Sequence, residues 1–467
     1  MQLRIVVLSI LLCLVCAQLQ ILSPDNLKKY WKKESPKAAI ANFGYVPWGR
    51  KLSGEVYLAK PYKACETLEP FTIPKDKAEE ADKYPIILAE RGGCTFTQKA
   101  QNAQLAGARM LIVVDTLEEP LDQTMPVGDG QDSSVHIPTV MIGPRHGAKM
   151  KEFIENGERV TVTMNFELPK SKEDKVKLEL WLSGTDTRSF ELAKGLRDYI
   201  QKIGFDQVIT KPYYAIWYCP YCKEINYTTT DNENCFSGGR YCSPDPDDSG
   251  PLTGRDILRE DLRQLCLADL SIEAWFQYMS QYDPKCPYQD GAKMDDCFKK
   301  GMKNLKFTPK EIDECVNLSF EGPNELLDDN WRLRKQRTFF KRRGIQIWPS
   351  IVLNGFLYRG NVLPVTNVYE AICEDFSTMP SSCVEHFQRK KAESIYEEPE
   401  EFDLFSVVAW ITVLATIFLV IALCFYRRWI RRELMRDLNN QLNARISEYM
   451  AMQDEEKVGN KETKASA

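Results

Sequence analysis

At 467 residues the chain exceeds what one ordinary hydrophobic core accommodates, so two or three domains are expected. Lys and Arg number 61 against 66 Asp and Glu, a formal net charge of −5 that gives no electrostatic basis for nucleic acid as the principal partner. The three histidines, His136, His146 and His386, are too dispersed in sequence to supply a clustered zinc site or a histidine-based triad, so no metal and no cofactor are expected.

The chain opens with Arg4, an apolar run from Ile5 to Cys16 and small residues before Gln18, the pattern of a cleaved signal peptide over residues 1–17. From Ala39 to Leu168, short apolar runs alternate with turns and modest helices. Ile86–Ala89 and Met110–Val114 read as buried strands and Val160–Met164 as a half-buried one. Between the first two, Arg91-Gly-Gly-Cys-Thr-Phe96 is a turn that leads into a helix over Thr97–Ala106.

A polar link, Pro169–Asp174, precedes a second domain over residues 175–383. Strands are expected at Val176–Ser183 and Gln207–Tyr218, with an amphipathic helix at Arg188–Ile203 between them. Ile345–Gly355 and a closing helix over Val365–Glu374 complete it. The stretch 255–329, with Leu258, Leu262, Leu265 and Leu270, reads as a helical insertion. An acidic stalk over 384–403 then precedes Leu404–Tyr426, apolar throughout and long enough to span a bilayer. Arg427, Arg428, Arg431 and Arg432 follow at once, which places the tail, 427–467, in the cytosol and the bulk of the chain in the lumen.

Fifteen cysteines occur; setting aside Cys13, Cys16 and Cys424 leaves twelve in an oxidising compartment. They form groups that close internally: Cys65 and Cys94; Cys219, Cys222, Cys235 and Cys242; Cys266, Cys286, Cys297 and Cys315; Cys373 and Cys383. Pairing inside the two groups of four stays open. Asn226 and Asn317 head glycosylation sequons on the lumenal side. The run Asp245 to Asp256 has acids at calcium-loop spacing, but its prolines and terminal Asp oppose an EF-hand.

Trp217-Tyr-Cys-Pro-Tyr-Cys222 has the form of a redox motif. It follows the second expected strand rather than the first, and the threonine- and asparagine-rich Lys223–Asn234 makes a poor helix to support a thiolate. A structural disulfide role is therefore favoured and no catalytic residue is assigned. A membrane-bound thioredoxin-like disulfide oxidoreductase or thiol-dependent chaperone using Cys219 and Cys222 is the alternative. No Gly-x-Ser-x-Gly or His-Glu-x-x-His occurs, which excludes the common hydrolases.

Gly44, Arg91–Ala100, Ala106-Gly-Ala108 and Ile137-Pro-Thr-Val140 resemble a protease-associated domain, and the second domain resembles a thioredoxin fold with a helical insertion. That likeness implies a cis peptide at Pro349 and puts the usual active position at Gly184-Thr-Asp-Thr187, which has no sulfur. The fold class is thus α/β and α+β multidomain: a protease-associated domain, a thioredoxin-like domain with a disulfide-braced insertion, and one transmembrane helix.

The module order, with Trp217-Tyr-Cys-Pro220, Gly239–Pro246, the cysteines at 266, 286, 297 and 315 and Tyr358-Arg-Gly360, resembles the vacuolar sorting receptors known from plants. The resemblance implies a receptor that binds soluble vacuolar or lysosomal cargo proteins in the Golgi and delivers them to prevacuolar or endosomal compartments. It implies a cargo surface of Arg91, Gly92, Gly93, Cys94 and Phe96, with Asp115, Glu119, Pro120, Leu121 and Met125. An arginine and open turn amides suit a peptide's carbonyls, and Glu118 and Glu119 suit a basic side chain. Three departures stand out: the family has an acidic residue where Gly93 stands, its epidermal-growth-factor-like repeats have no counterpart in the stalk, and it has no cysteine at the position of Cys222, although the number of cysteines in that group is the same. In the tail, Tyr449-Met-Ala-Met452 has the form read by the medium subunit of clathrin adaptors, which takes it as an extended strand with pockets for Tyr449 and Met452.

Overall fold

The structure, a computed structural model, describes residues 18–462 except 35–37, 71–83, 119–124, 126–133, 169, 172–173, 185, 225, 229–231, 248–249, 289–292, 344, 346 and 397–403. The expected signal peptide lies outside the described residues. The chain divides into two units, residues 1–387 and 388–467.

The first unit begins with a seven-stranded sheet in the order β1-β7-β3-β4-β5-β6-β2. Its strands are β1 (Gln18–Ser23), β2 (Ala39–Ile40), β3 (Lys51–Leu58), β4 (Tyr84–Glu90), β5 (Met110–Val114), β6 (Thr139–Ile142) and β7 (Thr161–Asn165). Helices α1 (Asp25–Glu34), α2 (Phe96–Leu105) and α3 (Pro144–Glu155) cover it. Strands β3 to β6 are parallel, and the continuous apolar runs are buried on both faces as such strands require. Alternate residues serve the two sides. Ile86, Leu88, Ile112 and Val140 pack in the layer that holds Leu27 and Trp31 of α1 and Met150 of α3; Ile87, Ala89, Leu111 and Val113 face Ala100 and Ala103 of α2.

Among the described residues the first sheet includes a strand ahead of the expected Ala39, β1 from Gln18. Leu19 and Ile21 are buried as β1 pairs with β7, and Trp31 of α1 donates its indole N–H to the Leu19 carbonyl at 2.7 Å. This segment pairs along β7 and becomes the sheet's terminal strand.

The second domain has a four-stranded sheet, β13-β12-β8-β9, built from β8 (Val176–Leu182), β9 (Val208–Tyr214), β12 (Ser350–Leu353) and β13 (Phe356–Leu357). Its helix α4 (Thr187–Ile203) connects β8 to the parallel β9. Leu178, Leu180 and Leu182 enter one core with Leu192, Leu196 and Ile200 of α4, while Trp181 stacks on Tyr213 at 4.5 Å across the other face. The short ladder β10 (Cys235–Phe236) with β11 (Tyr241–Cys242) precedes the insertion, helices α5 (Gly254–Leu270), α6 (Ile272–Gln281), α7 (Met294–Gly301) and α8 (Pro309–Asn317). Asp256, the last position of the calcium-loop pattern, completes a capping box with Thr253 at the start of α5.

The disulfides close inside the expected groups: Cys65–Cys94, Cys219–Cys222, Cys235–Cys242, Cys266–Cys315, Cys286–Cys297 and Cys373–Cys383. Cys266–Cys315 ties α5 to α8. Helix α9 (Trp331–Arg343) returns the chain to the sheet, with Arg332 bonded to Asp269, Arg334 to Asp329 and Glu321, and Arg343 to Glu179. These three arginines are thus tied into the domain. The Trp348–Pro349 peptide is cis, and α10 (Thr366–Asp375) closes the domain. Helix α11 (Ser381–Tyr396) follows. The second unit contains α12 (Leu404–Glu462), which is long and apolar enough to cross a membrane. Tyr449 and Met452 lie within that helix rather than in an extended segment.

Burial leaves several carboxyls in apolar surroundings. Asp375, fully buried, accepts one bond from Asn354 Nδ2 at 2.8 Å, and its other oxygen has no partner among the described residues. Burial pushes its pKa up to about 7. Asp261, with both oxygens unpartnered among the described residues, is raised by burial and then by Glu260. A raised folded-state pKa contributes stability that is complete below the ordinary carboxylate value of about 4 and is lost as pH rises through about 7 for Asp375. Thermal unfolding of the full chain is therefore expected to move to lower temperature between about pH 4 and pH 7, with a shallower dependence in Asp375→Asn. An unchanged slope in that variant would contradict the assignment.

Candidate functional site

The turn after β4 is fixed from three sides. Arg91 N–H donates to the Val114 carbonyl at 2.9 Å, which ties the turn to the end of β5. The Cys65–Cys94 bond holds it to the preceding loop. Thr95 caps α2 by accepting from Gln98 N–H, and Gln98 Nε2 donates back to the Cys65 carbonyl at 3.2 Å.

Gly92 and Gly93 take φ of +95° and +84°, a backbone region that favours glycine. A Cβ at Gly92 would meet nothing within 4 Å among the described residues, so the turn's outer face is open to them. A Cβ at Gly93 would stand 3.0 Å from Cys65 Sγ. A side chain at 93, such as the acidic one the resemblance implies for plant receptors, needs this corner to shift.

Arg91 Nη1 donates to Asp115 Oδ1 at 2.8 Å, and its guanidinium lies 5.9 Å from the centroid of the Phe96 ring. Asp115 Oδ1 also accepts the N–H groups of Thr116 and Leu117, so a buried carboxylate fixes both the arginine and the start of the β5–β6 connection. Arg91 remains one third exposed. The turn therefore presents a held cation, an aromatic ring and outward amides, a set of donors that fits peptide carbonyls and carboxylates.

Arg91, Gly92, Gly93, Cys94, Phe96 and Asp115 are thus brought together. Glu119, Pro120 and Leu121 lie outside the described residues. Met125 is buried, packed with Ala41, Phe43 and Ile137, and so is not itself exposed for cargo. Glu118 is bonded by the Arg145 guanidinium at 2.5 and 2.9 Å, so its carboxylate already serves an ion pair.

The structure adds Lys99, fully buried on α2, whose ammonium donates to the Gly92 carbonyl at 2.7 Å and to the Lys63 carbonyl. Burial lowers its pKa, and the neighbouring Lys63 lowers it further. By drawing the Gly92 carbonyl inward it turns the N–H of the same peptide unit, that of Gly93, outward. A lone lysine in a helix ordinarily reads as solvated, and nothing in the spacing marks this one as buried.

The four sulfurs Cys219, Cys222, Cys235 and Cys242 make a second cluster, 1 to 8% exposed, with Trp217 and Tyr227 against it. Cys222 lies on a single 3₁₀ turn, Tyr221–Lys223, not at the start of an α-helix, so no macrodipole supports a thiolate. Gly239, at φ +96°, packs so closely that a Cβ would meet Cys222 Sγ at 2.5 Å. Trp217 stands 5.3 Å from Trp348, the residue before cis-Pro349, so the cluster borders the face where thioredoxin-like domains carry that proline. At the other end of the sequence pattern, Asp186 caps α4 and Gly184 lies against Asp261.

Asn226 and Asn317 are both exposed, as glycan acceptors must be. Mild reduction followed by alkylation is expected to label Cys65 and Cys94, at the partly exposed turn, before Cys219 and Cys222; the reverse order would mark the buried pair as the reactive one. Lys99→Met, which leaves the Gly92 and Lys63 carbonyls without their buried donor, should cost about 1–3 kcal/mol of stability in denaturant unfolding; unchanged stability would remove Lys99 from this role.

The profile of the vacuolar sorting receptor thioredoxin-like domain matches residues 176–373, and that of the PA domain matches 52–150. Vacuolar-sorting receptor 4 of Arabidopsis thaliana is 30% identical over 396 residues, 78% of this chain and 60% of its own. Vacuolar-sorting receptor 1 of Pisum sativum is 30% identical over 393 residues, with the same 78% and 60% shares. The chain thus spans about 60% of the length of these relatives. Among solved structures, oxidised BdbD from Bacillus subtilis covers 44% of this chain and 90% of its own at 10% identity, with a TM-score of 0.27 that carries no conclusion.

Proposed function

We propose that this chain, which belongs with the vacuolar sorting receptors by its two domains and their order, is a single-pass type I membrane cargo receptor. It binds soluble proteins in the Golgi lumen and sorts them to a vacuolar or lysosomal compartment through clathrin adaptors. The observation that carries the reading is the turn Arg91–Phe96. An arginine one third exposed, glycine amides without side chains to cover them and an aromatic ring are held rigid by Asp115, Lys99 and a disulfide. Such a preorganised donor set spends little ordering entropy when a peptide docks.

Capture begins with the peptide's carbonyls or carboxylates meeting Arg91 and the Gly92–Gly93 amides, while Phe96 offers apolar area beside them. Glu119, Pro120, Leu121 and Met125 act through the β5–β6 connection, with Met125 buried. In the tail, Tyr449 and Met452 engage the adaptor medium subunit as an extended strand, so the end of α12 unwinds on binding.

A second reading, a thiol oxidoreductase, is favoured by one observation: Cys219 and Cys222 are bonded to each other beside Trp217 and Trp348. Against it stand the burial of both sulfurs and the short 3₁₀ turn that carries them.

The lumenal region immobilised on a column is expected to retain soluble hydrolases from a Golgi-lumen extract, and Arg91→Ala to release them. Tyr449→Ala should shift the receptor to the cell surface, scored by surface labelling. Retention that survives Arg91→Ala, or unchanged localisation of the tail variant, would remove the corresponding half of the proposal.

A further inference from the structure

The two lumenal domains meet along one loop. After β13, residues Tyr358 to Asn361 leave the thioredoxin-like sheet and run beside Ala41–Gly44, which continue β2 at the edge of the PA sheet. Gly360 N–H donates to the Ala41 carbonyl at 3.0 Å and Asn361 N–H to the Gly44 carbonyl at 2.9 Å. Trp48 Nε1 donates to the Arg359 carbonyl at 3.3 Å. Gly360 has φ +97°, and a Cβ there would meet Val46 at 2.8 Å, so only glycine lets the loop lie this close.

This backbone clamp aims Arg359 into the seam. Its Nη1 donates to Asn42 Oδ1 at 2.8 Å, a neutral acceptor, and no carboxylate lies within ion-pair distance of it among the described residues. A guanidinium has five N–H donors, and a partly buried one ordinarily has an anion. Burial alone pulls the Arg359 pKa down to about 10, with no neighbouring carboxylate to hold it up. Asn42 Nδ2 likewise has no acceptor among the described residues, so a second donor lies beside the fork. Asn42 N–H donates to the Met125 carbonyl at 3.3 Å, and Met125 belongs to the β5–β6 connection that starts at Asp115, beside Arg91.

We propose that Arg359 and Asn42 form a carboxylate-binding site at the seam, so that bound peptide is read by both lumenal domains. The planar fork plus a flanking amide N–H matches the two oxygens of a carboxylate. The carboxylate is that of an Asp or Glu side chain or of a peptide's C-terminus. The site rests on the cargo-receptor reading and adds the chemistry of the group that is recognised.

The test uses the full-length chain in detergent and four fluorescein-labelled octapeptide pools of otherwise random sequence. The pools carry a fixed central Glu or Gln, each with a free or an amidated C-terminus, and binding is read by anisotropy. The wild type should bind at least one carboxylate-bearing pool about tenfold more tightly than the Gln, amidated pool, roughly the worth of one charge-assisted bond. A preference that follows Glu assigns a side-chain carboxylate, and one that follows the free end assigns the C-terminus. Arg359→Gln should bring the pools to parity. Asn42→Asp, which places a carboxylate on the fork within the protein, should also abolish the preference while raising the unfolding temperature, and it keeps the test intact if Arg359→Gln does not fold. Equal binding of all pools by the wild type overturns the site but leaves cargo binding standing, as does a preference that survives both variants. Failure to bind any pool fails the receptor reading and the site with it.

Discussion

The first unit depends on the contact between Tyr358–Asn361 and Ala41–Gly44. Two cores with separate sheets become one body because a loop of the second lies along the edge of the first. The contact is reinforced nearby by Tyr45, which donates to Glu370 at 3.0 Å, and by the Ser171 N–H, which donates to the Asp375 carbonyl at 2.9 Å. His386 lies 3.2 Å from the same Glu370, and the bridge Cys373–Cys383 holds α10 to the helix that carries it. An unpaired sheet edge invites association with other chains, and here it is occupied from within.

The cysteines around this body do different work according to burial. Cys65–Cys94 lies at a partly exposed turn and shapes a surface; Cys266–Cys315 joins two helices of an insertion whose core includes Trp275 and Phe276. The cluster of Cys219, Cys222, Cys235 and Cys242 fills a corner where a larger apolar group would otherwise be needed. Cys219 and Cys222 are bonded to each other, covered, and carried by a single 3₁₀ turn, a setting that gives a thiolate no helix N-terminus for support.

Much of this was legible in the sequence because it follows from periodicity and local chemistry. The continuous runs at Ile86–Ala89 and Met110–Val114 could only be buried parallel strands or core helix, and their turn-bounded shortness decided it. The Arg91–Phe96 turn stood out through its glycines. Grouping the cysteines was possible, but four sulfurs of equal reach leave the pairing inside a group undetermined by spacing. The strand Gln18–Ser23 was missed because its Leu19 and Ile21 continue the apolar run of the leader. Lys99 and Arg359 escaped for a different reason: a cation's burial is decided by residues distant in the chain. Arg359 meets a partner 317 positions away, and no local pattern encodes that.

The central claim is that peptide cargo is held by the disulfide-braced turn of the first domain and the seam it shares with the second. Hydrogen exchange on the full-length chain, with and without a hydrolase captured from a lumenal extract, tests it most directly. The account predicts added protection at Arg91–Phe96 and at Tyr358–Asn361 together. Protection confined to Trp217–Lys223, with neither of those segments affected, would contradict it and return the protein to the class of thiol-dependent factors.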